Sequence, residues 1–174
     1  GNRVHEDEST REGKLKSIIQ QTIKQKGVLV IPAFAIERTQ QILYELNHLI
    51  ERKIITPIDV YLDSPMAIGA TKIIKAYPQY YDPEALQLVA RGDDMFDFPG
   101  LHVCQTRDQS KSINEAAWPK IIISGSGMMN GGRILHHLVR YLSNPKSTLL
   151  IIGYQSPGTL GHKLYRGDKT VQVM

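Results

Sequence analysis

The chain has 174 residues, 41% of them hydrophobic and 22% charged, which supplies the core of one domain and excludes a disordered segment. A formal net charge of +4 suits a polyanionic partner and many ordinary soluble proteins alike, so charge alone selects no class. Cys104 is the single cysteine, which excludes an internal disulfide or a cysteine-based zinc site, and no bilayer-spanning apolar run or signal-peptide pattern is present, so the expected setting is the reducing cytoplasm with no membrane partner.

In chain order, His5-Glu-Asp-Glu8 offers metal-ligand types, but an acidic run ahead of a helix is the simpler account. Short apolar runs bounded by turn residues follow at Val28–Pro32, Ile58–Leu62, Leu101–Gln105, Lys120–Ser124 and Thr148–Gly153, and most are separated by segments of helical period. The clearest helix comes after Ala35, where Ile42, Leu43, Leu46, Leu49 and Ile50 make one stripe and Glu37, Gln41, Glu45 and Arg52 lie elsewhere. Ser64 and Pro65 are an N-cap and first-turn pair. The stretch from Arg91 to Gly100 reads as an irregular acidic loop after a short helix. Fully apolar runs such as Ile121–Ile123 and Leu149–Ile152 predict strands buried on both faces. The expected fold class is α/β, a three-layer, mostly parallel β-sheet flanked by helices with Rossmann-like order, in one domain over residues 1–174.

Loops that leave the strands of a parallel sheet toward helices emerge at its carboxyl edge. Four segments leave in this way: Pro32–Thr39, Asp63–Met66, Ser124–Gly127 and Gly153–Leu160. They are expected to cluster into the functional surface.

The most distinctive stretch runs from Ile121 to Leu138, an apolar strand entering a glycine-rich turn that opens an amphipathic helix. Backbone N–H groups in such a turn, with a helix N-terminus behind them, favour a phosphate. The spacing of Gly125, Gly127 and Gly131 departs from a dinucleotide fingerprint. Ser126 has glycines immediately beside it rather than two residues away, so it is no nucleophile elbow. A Walker-type loop would need Lys-Ser or Lys-Thr where Arg133-Ile134 stands. In the helix beyond, Ile134, Leu135, Leu138, Val139 and Leu142 form the expected buried stripe. That leaves Arg133, His136 and Arg140 on one exposed flank and His137 beside Tyr141 on the other. Adjacent histidines on a helix do not readily share a metal. The bland alternatives are hydrogen-bonded histidines and a solvated helix face. No His-x-His-x-Asp-His, His-Glu-x-x-His or ligand-spaced carboxylate cluster occurs, so no metal site is expected in this chain.

Five ordered motifs, Gly1-Asn-Arg-Val-His-Glu-Asp7, Val30-Ile-Pro-Ala-Phe-Ala-Ile-Glu-Arg-Thr-Gln40, Tyr61-Leu-Asp-Ser-Pro-Met-Ala67, Ser124-Gly-Ser-Gly-Met-Met-Asn-Gly-Gly-Arg133 and Gly153-Tyr-Gln-Ser-Pro-Gly-Thr-Leu-Gly161, carry a family resemblance. In order and spacing they resemble the β-CASP domain of metallo-β-lactamase-fold ribonucleases, a family of bacterial and archaeal RNA-processing nucleases that includes the eukaryotic pre-mRNA 3′-end endonuclease. The resemblance implies a domain inserted into a metallo-β-lactamase core, closing over its two zincs with single-stranded RNA between. Gly1 stands just past the point where relatives begin the insert, and Met174 precedes their later histidine motif. The chain is therefore expected to be a lid excised from a larger protein, inactive by itself. Zinc would come with the core of the parent chain, and a homodimer is allowed.

On this resemblance, Ser124, Gly125, Ser126, Gly127, Gly131, Gly132, Arg133, Arg38 and Arg140 are the expected RNA- and phosphate-binding residues. The catalytic candidates are His162, Lys163, His136 and His137. Relatives place a histidine after Gly-Thr-Leu; alignment sets the eukaryotic one on Lys163, with His162 one position early and so turned by about 100° on a helix. Glu37 stands where relatives usually carry glycine, a departure that a helix-start acid accommodates. Two rival readings use the same residues: a nucleotide- or phosphometabolite-binding α/β domain, and a catalytically silent interaction scaffold.

Overall fold

The computed structural model describes residues 7–174. Most of the first family motif and the start of the acidic run, including His5, lie outside the described residues. Asp7 is the N-cap of helix α1 (Glu8–Gln25), its side chain accepting from the Thr10 N–H. Five strands, β1 (Val28–Pro32), β2 (Asp59–Asp63), β3 (Leu101–Val103), β4 (Lys120–Ser124) and β5 (Ser147–Leu149), form one sheet of order β3-β2-β4-β1-β5. Every pairing is parallel. The connections carry α2 (Arg38–Glu51), α3 (Pro65–Ala76), α4 (Pro83–Ala90), α5 (Arg107–Ser112) and α6 (Ile134–Tyr141), and α7 (Leu160–Tyr165) follows β5.

Successive strand residues point to opposite faces, and two cores result. Leu29, Ile31, Ile121 and Ile123 pack with Leu15 and Ile19 of α1 and Leu43, Leu46 and Leu49 of α2. Val28, Val30 and Ile122 pack on the other face with Ile134, Leu138 and Tyr141 of α6 and Leu160 of α7. This is the expected three-layer α/β arrangement. The central strands β1 and β4 are buried along their whole length, as their unbroken apolar runs require.

The two edge strands are shorter than expected. The runs Leu101–Gln105 and Thr148–Gly153 were expected to be strands throughout, yet β3 ends at Val103 and β5 at Leu149. Leu150 still donates its N–H to Val30 O (2.9 Å), but the segment after it is only half-buried. An edge strand has one neighbour and one free side, so apolar content alone does not bury it. The stretch after α4 is irregular, as expected, and is anchored by buried Met95 and Phe98.

Candidate functional site

Register fixes the site's floor. Pro32 pairs with Ser124, and Ser124 with Asp63, so the last residues of the three central strands form one row at the carboxyl edge. The row is tied across: Ala33 N–H donates to Ser124 O (3.0 Å) and Ser124 Oγ to Asp63 O (2.9 Å). The four loops above it interlock as the topology predicts. Phe34 packs against Gly127, where an added Cβ would lie 2.8 Å from the ring. Gln155 Nε2 donates to Gly127 O (3.1 Å). The start of α7 donates back, from Gly161 N–H to Met128 O (3.1 Å) and from Leu160 N–H to Asn130 Oδ1 (3.3 Å).

The glycine-rich loop closes on itself. Ser126 N–H donates to Gly131 O, Met129 N–H to Ser126 O, Asn130 N–H to Ser126 Oγ and Ile134 N–H to Gly125 O, all between 3.0 and 3.1 Å. Those four amides are therefore held within the turn. Gly132 makes the closure sterically feasible: at φ +80° a Cβ would sit 2.4 Å from Gly125 O, which no L side chain tolerates.

Below the loop, Asp63 is fully buried and accepts from three sides. Arg133 Nη1 donates to Oδ1 (2.7 Å), Ser110 Oγ to Oδ2 (2.6 Å), and His137 Nε2 lies 2.7 Å from Oδ2. Burial by itself raises the Asp63 carboxyl, but the hydrogen bonds from His137, Ser110 and Arg133 outweigh it and hold the group below its ordinary value. An ionised carboxylate only accepts, so the His137 ring carries a hydrogen on Nε2. Arg133 is secured further by the carbonyls of Cys104 (2.8 Å) and Gln105 (3.0 Å).

This network corrects the expected orientation of α6. Its buried residues are Ile134, His137, Leu138 and Tyr141. Val139, placed in the apolar stripe, is 54% exposed, and Leu135 and Leu142 are half-buried. Arg133 and His137 are one helical turn apart and share a face, so a common carboxylate draws both inward and rotates the helix accordingly. His137 is thus not on the flank away from Arg133. Of the expected exposed trio, His136 and Arg140 remain exposed and Arg133 is half-buried.

Gly132, Arg133, His136, His137 and Arg140 line one cleft. His162 and Lys163 lie elsewhere, on the first turns of α7, where the N-cap Thr159 Oγ1 accepts from His162 N–H (3.1 Å); His162 is half-buried and Lys163 exposed. Arg38 opens α2, donates to Gln41 Oε1 (2.6 Å) and lines a separate groove with Arg11 and Ile151. Glu37 before it is the N-cap but makes no capping bond, and its φ is +68°, a backbone state that suits glycine and gives the acid no helix-capping role.

Sequence reasoning missed Asp63 and Ser110 as members of the site. Asp63 carries a signal in the sequence, an acid that ends a central strand inside the Tyr61–Ala67 motif, next to the helix-start pair Ser64 and Pro65. Ser110 carries none. The zinc implied by the resemblance does not fit these residues. Among the described residues no group of three or more His, Cys, Asp or Glu side chains could hold a metal ion, and the Asp63 oxygens are already taken by Arg133, Ser110 and His137.

The sequence that builds this arrangement is similar to those of known proteins. The Beta-Casp domain family model matches residues 39–164. The whole chain is 37% identical to Ribonuclease TTHA0252 of Thermus thermophilus, covering 40% of that protein. It is 34% identical over 94% of its length to an RNase J-like protein of Methanocaldococcus jannaschii, covering 37% of it. Transcription termination factor FttA of Methanosarcina mazei is 31% identical over 93% of the chain, which covers 25% of that relative. The chain thus spans well under half the length of these curated relatives. With the interlocked loops on a parallel sheet and a family match running from α2 through most of α7, the chain belongs to the β-CASP family.

Proposed function

We propose that this chain is the RNA-binding lid of a metal-dependent ribonuclease, a single β-CASP domain over residues 1–174 that is inactive when separated from its metallo-β-lactamase core. The observation that carries the reading is the carboxyl-edge assembly, in which Asp63 fixes Arg133 and His137 beneath the glycine-rich loop while His136 and Arg140 stay exposed. Fixed donors and cations beside a phosphodiester stabilise charge as it develops. Relatives named ribonuclease and RNase J-like support RNA as the ligand.

In this reading the loop from Ser124 through Gly132 and the side chains of Arg133 and Arg140 meet single-stranded RNA, with Arg38 at a second contact. His162 or Lys163 of α7 acts near the leaving oxygen, and His136 is a further candidate. His137 holds position through Asp63. Zinc belongs to the core of the parent, and no step on the residues of this chain runs through it. No helix among the described residues is long and apolar enough to cross a membrane, and we place the parent in the cytoplasm with its RNA.

Two measurements test it: elemental analysis of the purified chain, and titration of labelled single-stranded RNA at two salt concentrations with cleavage followed in parallel. The chain is expected to hold no stoichiometric zinc, to cut nothing, and to bind RNA weakly with steep salt dependence. The parent is expected to cleave RNA and to stop on chelation. Cleavage by the isolated chain with stoichiometric zinc, or a parent indifferent to RNA, overturns the reading.

A further inference from the structure

Helices α5 and α6 face each other across a cleft of about 830 Å³ whose walls carry Arg107 and Lys111 on one side and Arg133, His136 and Arg140 on the other. No carboxylate lines it. Asp63 lies buried beneath, satisfied by its own donors. On α5, Arg107 and Lys111 are one turn apart on a common face, and on α6 the residues at 133, 136 and 140 repeat the helical spacing. The α5 wall therefore presents Arg107 and Lys111, and the α6 wall Arg140 beside the His136 ring, to the same space, while the Arg133 guanidinium at its inner end is turned to Asp63. Among the described residues no acid forms an ion pair with Arg107, Lys111 or Arg140.

The α5 wall is built rather than loose, although that short helix buries none of its own residues. A capping box joins Thr106 and Gln109 at its start, and Ser110 is fastened to Asp63. Beyond its end, Ile113 is fully buried, and buried Lys120 donates to the carbonyls of Ile113 (2.5 Å) and Ala116 (2.9 Å). Lys120 Nζ also lies over the Tyr141 ring of α6 (5.6 Å to the centroid), which couples the two walls.

We propose that this cleft is a track for the RNA backbone, receiving the strand as it leaves the glycine-rich loop and adding Arg107 and Lys111 to the binding surface. It opens beside Gly132 and Arg133 at the carboxyl edge and runs along α6 to Arg140. Its lining holds no Phe, Tyr or Trp, and its only rings are the imidazoles of exposed His136 and buried His137, so the cations on its walls make it chiefly a reader of phosphate charge. The inference rests on the RNA-binding reading above.

The test uses the parent protein, the double variant Arg107→Ala/Lys111→Ala and two RNAs, of about four and about sixteen nucleotides, spanning the range of single-strand site sizes. For the longer RNA the variant is expected to bind about ten-fold more weakly at low salt. Its slope of log affinity against log salt is expected to flatten by about 1.4, the share of two phosphate contacts on a single strand. The short RNA is expected to bind both proteins alike, and Lys111→Arg to bind as wild type. Equal binding of the longer RNA by wild type and double variant, with wild type still binding RNA, removes the track and leaves the lid intact. A wild-type parent that binds neither RNA removes the lid reading and the track with it. A double variant that keeps RNA but loses an oligo-aspartate peptide bound by wild type assigns the cleft to an acidic peptide and overturns the proposal.

Discussion

Asp63 has no exposed surface and accepts from Arg133, Ser110 and His137, and breaking a buried pair by removing one partner destabilises by about 3–5 kcal/mol. Asp63→Asn is expected to lower unfolding free energy by about 3 kcal/mol in urea titrations near neutral pH. The effect is pH-dependent with a definite sign. Because the folded carboxyl lies below its ordinary value, the unfolded chain takes up the proton first as pH falls. The stabilisation is therefore complete above about pH 4 and is lost as pH drops through the folded value. The gap between wild type and Asp63→Asn should shrink on acidification; a gap that stays constant would argue against an ionised Asp63. Glu37 offers the opposite case. Its φ of +68° strains an L residue, so Glu37→Gly is expected to stabilise by about 1 kcal/mol, relief of strain exceeding the entropic penalty of glycine. A thermal melt that moves down instead would mean the Glu37 side chain stabilises the fold in a way its backbone does not reveal.

Among the elements, α5 and α6 depend on one buried amine. Lys120 ends its side chain against the carbonyls of Ile113 and Ala116, and burial, followed by the nearby charge of Arg140, pushes it down from 10.5 to about 8. In that window the unfolded chain holds the proton and the folded chain releases it, so the Lys120 contribution becomes more favourable as pH rises from about 8 to 10.5. Lys120→Met removes this term and both carbonyl bonds. Denaturation across pH 7 to 10 should show wild type gaining on the variant with a limiting slope of about 1.4 kcal/mol per pH unit. A flat difference would mean that Lys120 does not titrate in the folded state within this window.

For the whole molecule, α7 is docked on the glycine-rich loop by bonds from Gly161 and Leu160, which sets His162 and Lys163 beside the carboxyl edge on a different element from His136 and His137. On the proposed ribonuclease reading, at least one of His162→Ala and Lys163→Ala in the parent protein is expected to lower turnover by about ten-fold or more, on the scale of general acid–base contributions, without loss of fold. Wild-type turnover in both, with cleavage abolished by His136→Ala, would move the catalytic role to α6.

Strand positions, the three-layer α/β order, the gathering of four loops at one sheet edge and the β-CASP resemblance were all legible in the sequence. The first three follow from local apolar period, turn residues and the fixed geometry of parallel connections, and the resemblance rests on the order and spacing of five motifs, none of which needs knowledge of distant contacts. The tertiary structure alone decided the rotation of α6, the burial of His137, the Asp63 network and the facing of α5 against α6. Asp63 is 70 residues from Arg133 and 74 from His137. Apolar periodicity on α6 ranks Val139 above His137 for burial, but it gives no weight to a carboxylate arriving from another strand. Once that carboxylate is buried it must be paired, and the helix turns to meet it.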